Sequence, residues 1–168
     1  MTRIYGFPPV IGDAPRALVL GSMPGIASLN ANEYYAMSRN AFWPIMKTLF
    51  DAGFELPYEQ RIARLQICGI ALWDVLASCV RPGSLDASIK SNSVETNDIS
   101  GLLSTEPTIT HVCFNGRAAA DLYRRHITPQ LTRVPETILL PSTSPAHAAV
   151  SFTEKLEAWS ALLTIAPK

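Results

Sequence analysis

The sequence predicts an α/β fold: a three-layer sandwich with a four-stranded, mainly parallel central sheet flanked by helices. Short apolar runs alternate with stretches of helical periodicity along the chain. Hydrophobic residues make up 48% of the 168 and charged residues 17%, a balance that suits one folded domain spanning 1–168 and excludes a disordered chain. Polar loops of odd composition follow three of the apolar runs, as expected where a parallel sheet presents its carboxyl edge to a ligand.

Taken in order, Ala17 to Leu20 reads as a buried strand. Trp43 to Ala52 has helical character, with Pro44 tolerated in a first turn. Tyr58 to Cys68 carries Ile62, Leu65 and Cys68 on one helical face and stops at Gly69. Ile70 to Leu76 is a second strand, and Arg81 to Asn92 a polar loop. A helix is expected over Val94 to Ser104, a third strand over Ile109 to Phe114, and a helix over Gly116 to His126. Thr137 to Leu140 supplies the fourth strand. Ser151-Phe152-Thr153-Glu154 has the capping-box pattern, opening a last helix with Leu156, Trp159 and Leu163.

Charge and cysteine usage narrow the function classes. Fourteen basic residues balance fourteen acidic ones, which excludes a non-specific polycation but leaves room for a local basic groove. Cys68, Cys79 and Cys113 are spaced 11 and 34 positions apart and none sits beside a histidine at ligand spacing, so buried free thiols are expected rather than zinc or an iron–sulfur cluster. The opening residues Met1 to Pro9 lack the apolar core of a secretory signal, and no apolar run approaches the roughly 20 residues that span a bilayer. A cytoplasmic protein, free of membrane, is the expectation.

The first polar loop, Gly21 to Trp43, is far longer than a strand-to-helix connection requires, and it concentrates glycine, asparagine and tyrosine. Gly21-Ser22-Met23-Pro24-Gly25 could offer backbone N–H groups to a ligand edge or an anion, or simply make a tight turn. Asn40 stands just before a helix and suits an N-cap. Asn115, before Gly116-Arg117-Ala118, has the same alternative. Tyr34 and Tyr35 could be loop-packing residues or a stacking platform.

"GSMPG" after the first strand, "YYAMSRNAFW" into the next helix, "FNG" after the third strand and "PSTSPAHA" after the fourth resemble the uracil-DNA glycosylase superfamily, and most nearly its hypoxanthine-DNA (deoxyinosine) glycosylase family. The likeness runs from the first strand to the last helix. It implies a base-excision enzyme that hydrolyses the N-glycosidic bond of a deaminated base in DNA, hypoxanthine favoured and a uracil- or mismatch-specific glycosylase the alternative, without metal or cofactor. Asn40 matches the position of the catalytic residue, which would orient a water; an amide is no strong base, but orientation suffices if the bond breaks dissociatively. Related families put a catalytic asparagine or aspartate where this chain has Ser22.

The same resemblance gives Tyr35 the role of stacking on the flipped base. It gives Asn115 that of reading the base amide, since a carboxamide pairs with the N–H/C=O edge shared by uracil and hypoxanthine. Met23 and Pro24 join Gly21, Ser22 and Gly25 in the base-binding loop. Ser142, Ser144, Pro145, Ala146 and His147 correspond to the loop that wedges into DNA, although His147 lies five residues beyond the place, near Ser142, where superfamily members often carry a histidine. Arg39 and Lys47 could meet phosphates, and Arg81 to Asp86 looks like a shaped loop making a base-pocket or backbone contact. The enzyme is expected to act as a monomer. Two other classes share the loop geometry: a relative that binds a base without cleaving it, and a flavodoxin-like cofactor binder, for which the GxGxxG spacing is missing.

Overall fold

The computed structural model describes residues 2–166; residues 1, 167 and 168 of the expected 1–168 domain lie outside them. The chain runs β1 (Arg3–Tyr5), β2 (Ala17–Gly21), α1 (Ile26–Ala31), α2 (Phe42–Phe50), α3 (Tyr58–Ile67), β3 (Ile70–Asp74), β4 (Leu76–Val80) and β5 (Glu95–Thr96). It continues through α4 (Ile99–Thr105), β6 (His111–Asn115), α5 (Arg117–His126), β7 (Glu136–Leu140), α6 (Phe152–Trp159) and α7 (Leu162–Ile165).

The central sheet has the order β3-β2-β6-β7 and every pairing is parallel. Strand β2 is buried along its whole length, and alternate side chains enter opposite cores. Ala17 and Val19 join a core with α2, α3, α6 and α7, built on Trp43, Phe50 and Trp159. Leu18 and Leu20 join the other with α4, α5 and strand β4. The strand order reverses at β2, which lies between β3 and β6, so the crevice beyond the carboxyl ends of β2 and β6 is where such a sheet binds ligands. Gly21, Asp74 and Asn115 stand at that edge.

Several expectations change. The run Ile70 to Leu76 is two strands: β3 ends at Asp74, the chain leaves the sheet at Val75, and Leu76 begins β4. Strand β4 belongs to a second sheet, β1-β4-β5, antiparallel throughout. The expected helix over Val94 to Ser104 begins only at Ile99, because Glu95–Thr96 pairs with β4 and Asp98 caps the helix, accepting the Gly101 N–H at 2.9 Å. The short helix α1 was not expected. The capping box before α6 forms in both directions, Ser151 Oγ accepting from Glu154 N and Glu154 Oε1 from Ser151 N. Cys79 and Cys113 are buried and unbridged, and burial pushes the Cys113 thiol up to about 12.

Candidate active site

A pocket of about 420 Å³ opens at the carboxyl edge of the central sheet, within the size range of small-ligand sites. Its lining includes Gly21, Ser22, Met23, Pro24 and Gly25, together with Tyr35, Arg39, Asn40 and Asn115. Ser142, Ser144, Pro145 and Ala146 close it from the β7 side. His147 does not line the pocket; it is exposed, and its N–H donates to the Ser144 carbonyl in a turn. Lys47 lies on α2 with its ammonium 3.2 Å from Glu55, both side chains largely exposed.

The tandem tyrosines divide the work of the loop. Tyr34 is core: its hydroxyl donates to the Pro8 carbonyl and its own carbonyl accepts from the Trp43 indole at 2.9 Å. Tyr35 turns to the pocket through a left-handed backbone (φ 56°), which a bulky side chain rarely adopts and which tertiary packing must hold. That packing is Phe42, stacked on the Tyr35 ring with centroids 4.0 Å apart. The Tyr35 hydroxyl is buried. Burial, then the nearby Asp74 carboxyl, holds it well above the usual phenol range, so it is a neutral O–H. The Asn115 carboxamide is close enough to act weakly the other way, yet no hydrogen bond of good geometry satisfies the hydroxyl.

Asn40 precedes α2, and its Oδ1 accepts the Phe42 N–H at 2.9 Å. The capping chemistry expected of it is therefore present, although the residue at the helix boundary is Ala41. Asn115 does not cap α5; Gly116, with φ 94°, occupies that boundary. Instead the Asn115 amide grips Thr143, its Nδ2 donating to Oγ1 at 3.0 Å and its Oδ1 accepting from N at 2.9 Å. The Thr143 carbonyl in turn accepts the Ala41 N–H. Thr143, buried and passed over by sequence reasoning, thus ties β6, the loop after β7 and the start of α2 into one wall. Trp159 and Lys155 of α6 brace the same loop at the carbonyls of Pro141 and Ser144.

The 81–86 loop turns out to be the scaffold of the glycine-rich segment. Buried Arg81 donates to the carbonyls of Met23, Pro24 and Gly83, the Pro24 bond being 2.6 Å. Ser84 Oγ accepts the Ile26 N–H, capping α1, and the Ser22 hydroxyl donates to Asp86 at 2.5 Å. In a trans peptide, fixing the Pro24 carbonyl on Arg81 also fixes the opposite direction for the Gly25 N–H. Asp74 was missed altogether. It is 4% exposed in the pocket wall, and burial, with the Asp86 charge adding and Arg81 opposing, pushes its carboxyl up to about 7.

An α/β domain whose parallel sheet carries a base-sized, aromatic- and amide-lined pocket at its switch point is a frame for small-ligand chemistry. Comparison narrows it further: the family profile of the uracil DNA glycosylase superfamily matches residues 8–163, and the chain belongs to that superfamily, enzymes that hydrolyse N-glycosidic bonds in DNA. A protein of Methanosarcina acetivorans named hypoxanthine DNA glycosylase is 34% identical over 159 residues, 94% of this chain and 96% of its own. A Methanosarcina barkeri protein of the same name is 34% identical over 117 residues, 69% and 73% of the two chains. The solution NMR structure of a Methanosarcina acetivorans protein, described as a candidate uracil DNA glycosylase, superposes with a TM-score of 0.76 at 31% identity, covering 96% of this chain and 99% of that one. Among the described residues no helix is long and apolar enough to cross a membrane.

Proposed function

We propose that this enzyme excises hypoxanthine from deoxyinosine in DNA, leaving an abasic site, and that it works in the cytoplasm as a monomeric single domain. The observation that supports this most is the pocket itself, in a chain 34% identical to relatives named hypoxanthine DNA glycosylase. A base inside a duplex is out of reach, so the target must flip into the pocket. Tyr35, backed by Phe42, stacks on the flipped base.

Asn40 orients the attacking water at the sugar carbon. Its Oδ1 accepts the Phe42 N–H with one lone pair, and the second is left to accept an O–H of that water, whose own lone pair then faces the sugar. The bond breaks with its electron pair passing to the base, and water captures the sugar cation from the Asn40 side. The Gly21–Gly25 backbone, anchored by Arg81, Ser84 and Asp86, presents donors to the base edge and its developing charge. Asn115 reads the lactam edge with the hydrogen and lone pair that Thr143 leaves over. Arg39 at the mouth meets phosphate, and Ser142 to His147 form the wedge that enters the duplex. Single-stranded and duplex oligonucleotides carrying one inosine, uracil or xanthine, treated with enzyme and then alkali, test this reading. Strand breaks at inosine ahead of uracil are expected; breaks at uracil alone would make it a uracil enzyme, and none at any base would refute glycosylase activity.

A further inference from the structure

The polar groups around the pocket are mostly engaged. Ser22 is bonded to Asp86, Asn115 to Thr143 and Asn40 to the α2 backbone. Two buried pocket atoms are not: Asp74 Oδ2 and the Tyr35 hydroxyl. The Asp74 carboxyl and the Tyr35 hydroxyl lie over the end of β2, where Gly21 has no side chain. A Cβ there would stand 2.5 Å from Asp74 Oδ1 and 3.4 Å from the Tyr35 oxygen. Asp74 is held from behind, since its backbone carbonyl accepts from Asn97 Nδ2 at 2.8 Å. Buried polar atoms without partners are rare in native proteins, and a carboxyl that lines a pocket and keeps one such oxygen is placed to find its partner on a ligand.

Resting on the glycosylase reading, we propose that Asp74 acts as a carboxylic acid whose O–H donates a hydrogen bond to the O6/N7 acceptor edge of the flipped 6-oxopurine. When the C1′–N9 bond breaks, its electron pair passes into the purine and both acceptors gain negative charge. A hydrogen bond donated there strengthens as the transition state forms, whereas a carboxylate would repel the leaving base. No proton leaves Asp74 in this step; the water that captures the sugar supplies the hydroxyl, and the proton it releases neutralises the purine anion to give free hypoxanthine.

The surroundings keep a substantial share of the carboxyl in the acid form at neutral pH. Asp86 and Arg81 face the carboxyl from the 81–86 loop with opposing effects, and Tyr34 and Tyr35 add two neutral phenols from the loop before α2. Burial dominates, giving a titration at about 7.

The test is single-turnover hypoxanthine release from pH 5.5 to 9 by wild type, Asp74→Asn and Asp74→Ala, with melting curves and affinity for an abasic-analogue duplex alongside. The wild-type rate is expected to fall about tenfold per pH unit above the Asp74 titration. Asp74→Asn, whose amide donates at every pH, should lose that descending limb, while folded Asp74→Ala should be slowed at least about tenfold at pH 6 with duplex affinity kept. Superimposable profiles for wild type and Asp74→Asn, or a folded Asp74→Ala at the wild-type rate, would overturn the assignment. A wild type that releases no base would refute the functional reading instead, and carboxyl-carbon NMR then decides on Asp74. Free hypoxanthine should move its titration midpoint upward, and a midpoint it leaves unmoved overturns the proposal.

Discussion

Asn40 and Asp74 each combine a structural consequence with a chemical one, and substitutions separate the two. Asn40→Ala removes the acceptor for the Phe42 N–H, a loss worth about 0.5–2 kcal/mol for a helix-start bond. It also removes the proposed water-orienting amide, which should slow excision by about 10²-fold or more. Asn40→Asp keeps the acceptor and should melt near wild type. Melting curves read beside single-turnover rates separate the roles, and a folded Asn40→Ala that cleaves at the wild-type rate would remove Asn40 from the chemistry. For Asp74 the sign follows from linkage. Its carboxyl titrates at about 7 when folded and near the ordinary 3.8 when unfolded, so the stability it contributes is full below pH 3.8 and declines as pH rises through 7. The whole shift corresponds to about 4 kcal/mol. The stability of Asp74→Asn relative to wild type should therefore grow across that window and level off above it; a difference independent of pH would contradict the buried titration.

At the scale of elements, the site depends on how strand ends and loops lock together. Gly21→Ala is the sharpest probe, because the new Cβ would meet Asp74 Oδ1 at 2.5 Å and must displace it from the pocket wall. Base release is expected to fall at least about tenfold while the far-ultraviolet dichroism stays native; an unchanged rate would mean that the close approach of Asp74 to β2 is dispensable. The β2 loop was legible in the sequence because glycine, asparagine and tyrosine are misplaced after a buried strand unless a ligand is met. Asp74 was not legible: it ends the apolar run Ile70 to Leu76 and reads as a strand residue, and its burial depends on a missing side chain 53 positions earlier (74−21). Arg81 reads in the sequence as part of a loop making a base-pocket or backbone contact, since nothing local shows that its partners are the carbonyls of Met23 and Pro24. The antiparallel sheet escaped for another reason. Strands β1 and β5 are three and two residues long, too short to carry any alternation.

For the whole molecule, equal numbers of acidic and basic residues mean that DNA binding rests on local charge placement rather than on net charge; Arg39, which lines the pocket, is the proposed phosphate contact. Among the described residues no group of three or more histidine, cysteine, aspartate or glutamate side chains could hold a metal ion. Base release is accordingly expected to continue undiminished in excess EDTA, and activity lost there and restored by zinc or iron would contradict a metal-free hydrolysis. The proposed function stands on cleavage of one bond, the N-glycosidic bond of a deaminated purine. The most direct measurement is mass spectrometry of the small-molecule products from a single turnover on an inosine-containing duplex, with the strand analysed beside it. One free hypoxanthine is expected for each abasic site, with the phosphodiester backbone intact before alkali and almost none of either product with Asn40→Ala. Inosine left in an intact strand, or a backbone cut with the base still attached, would contradict the proposed function.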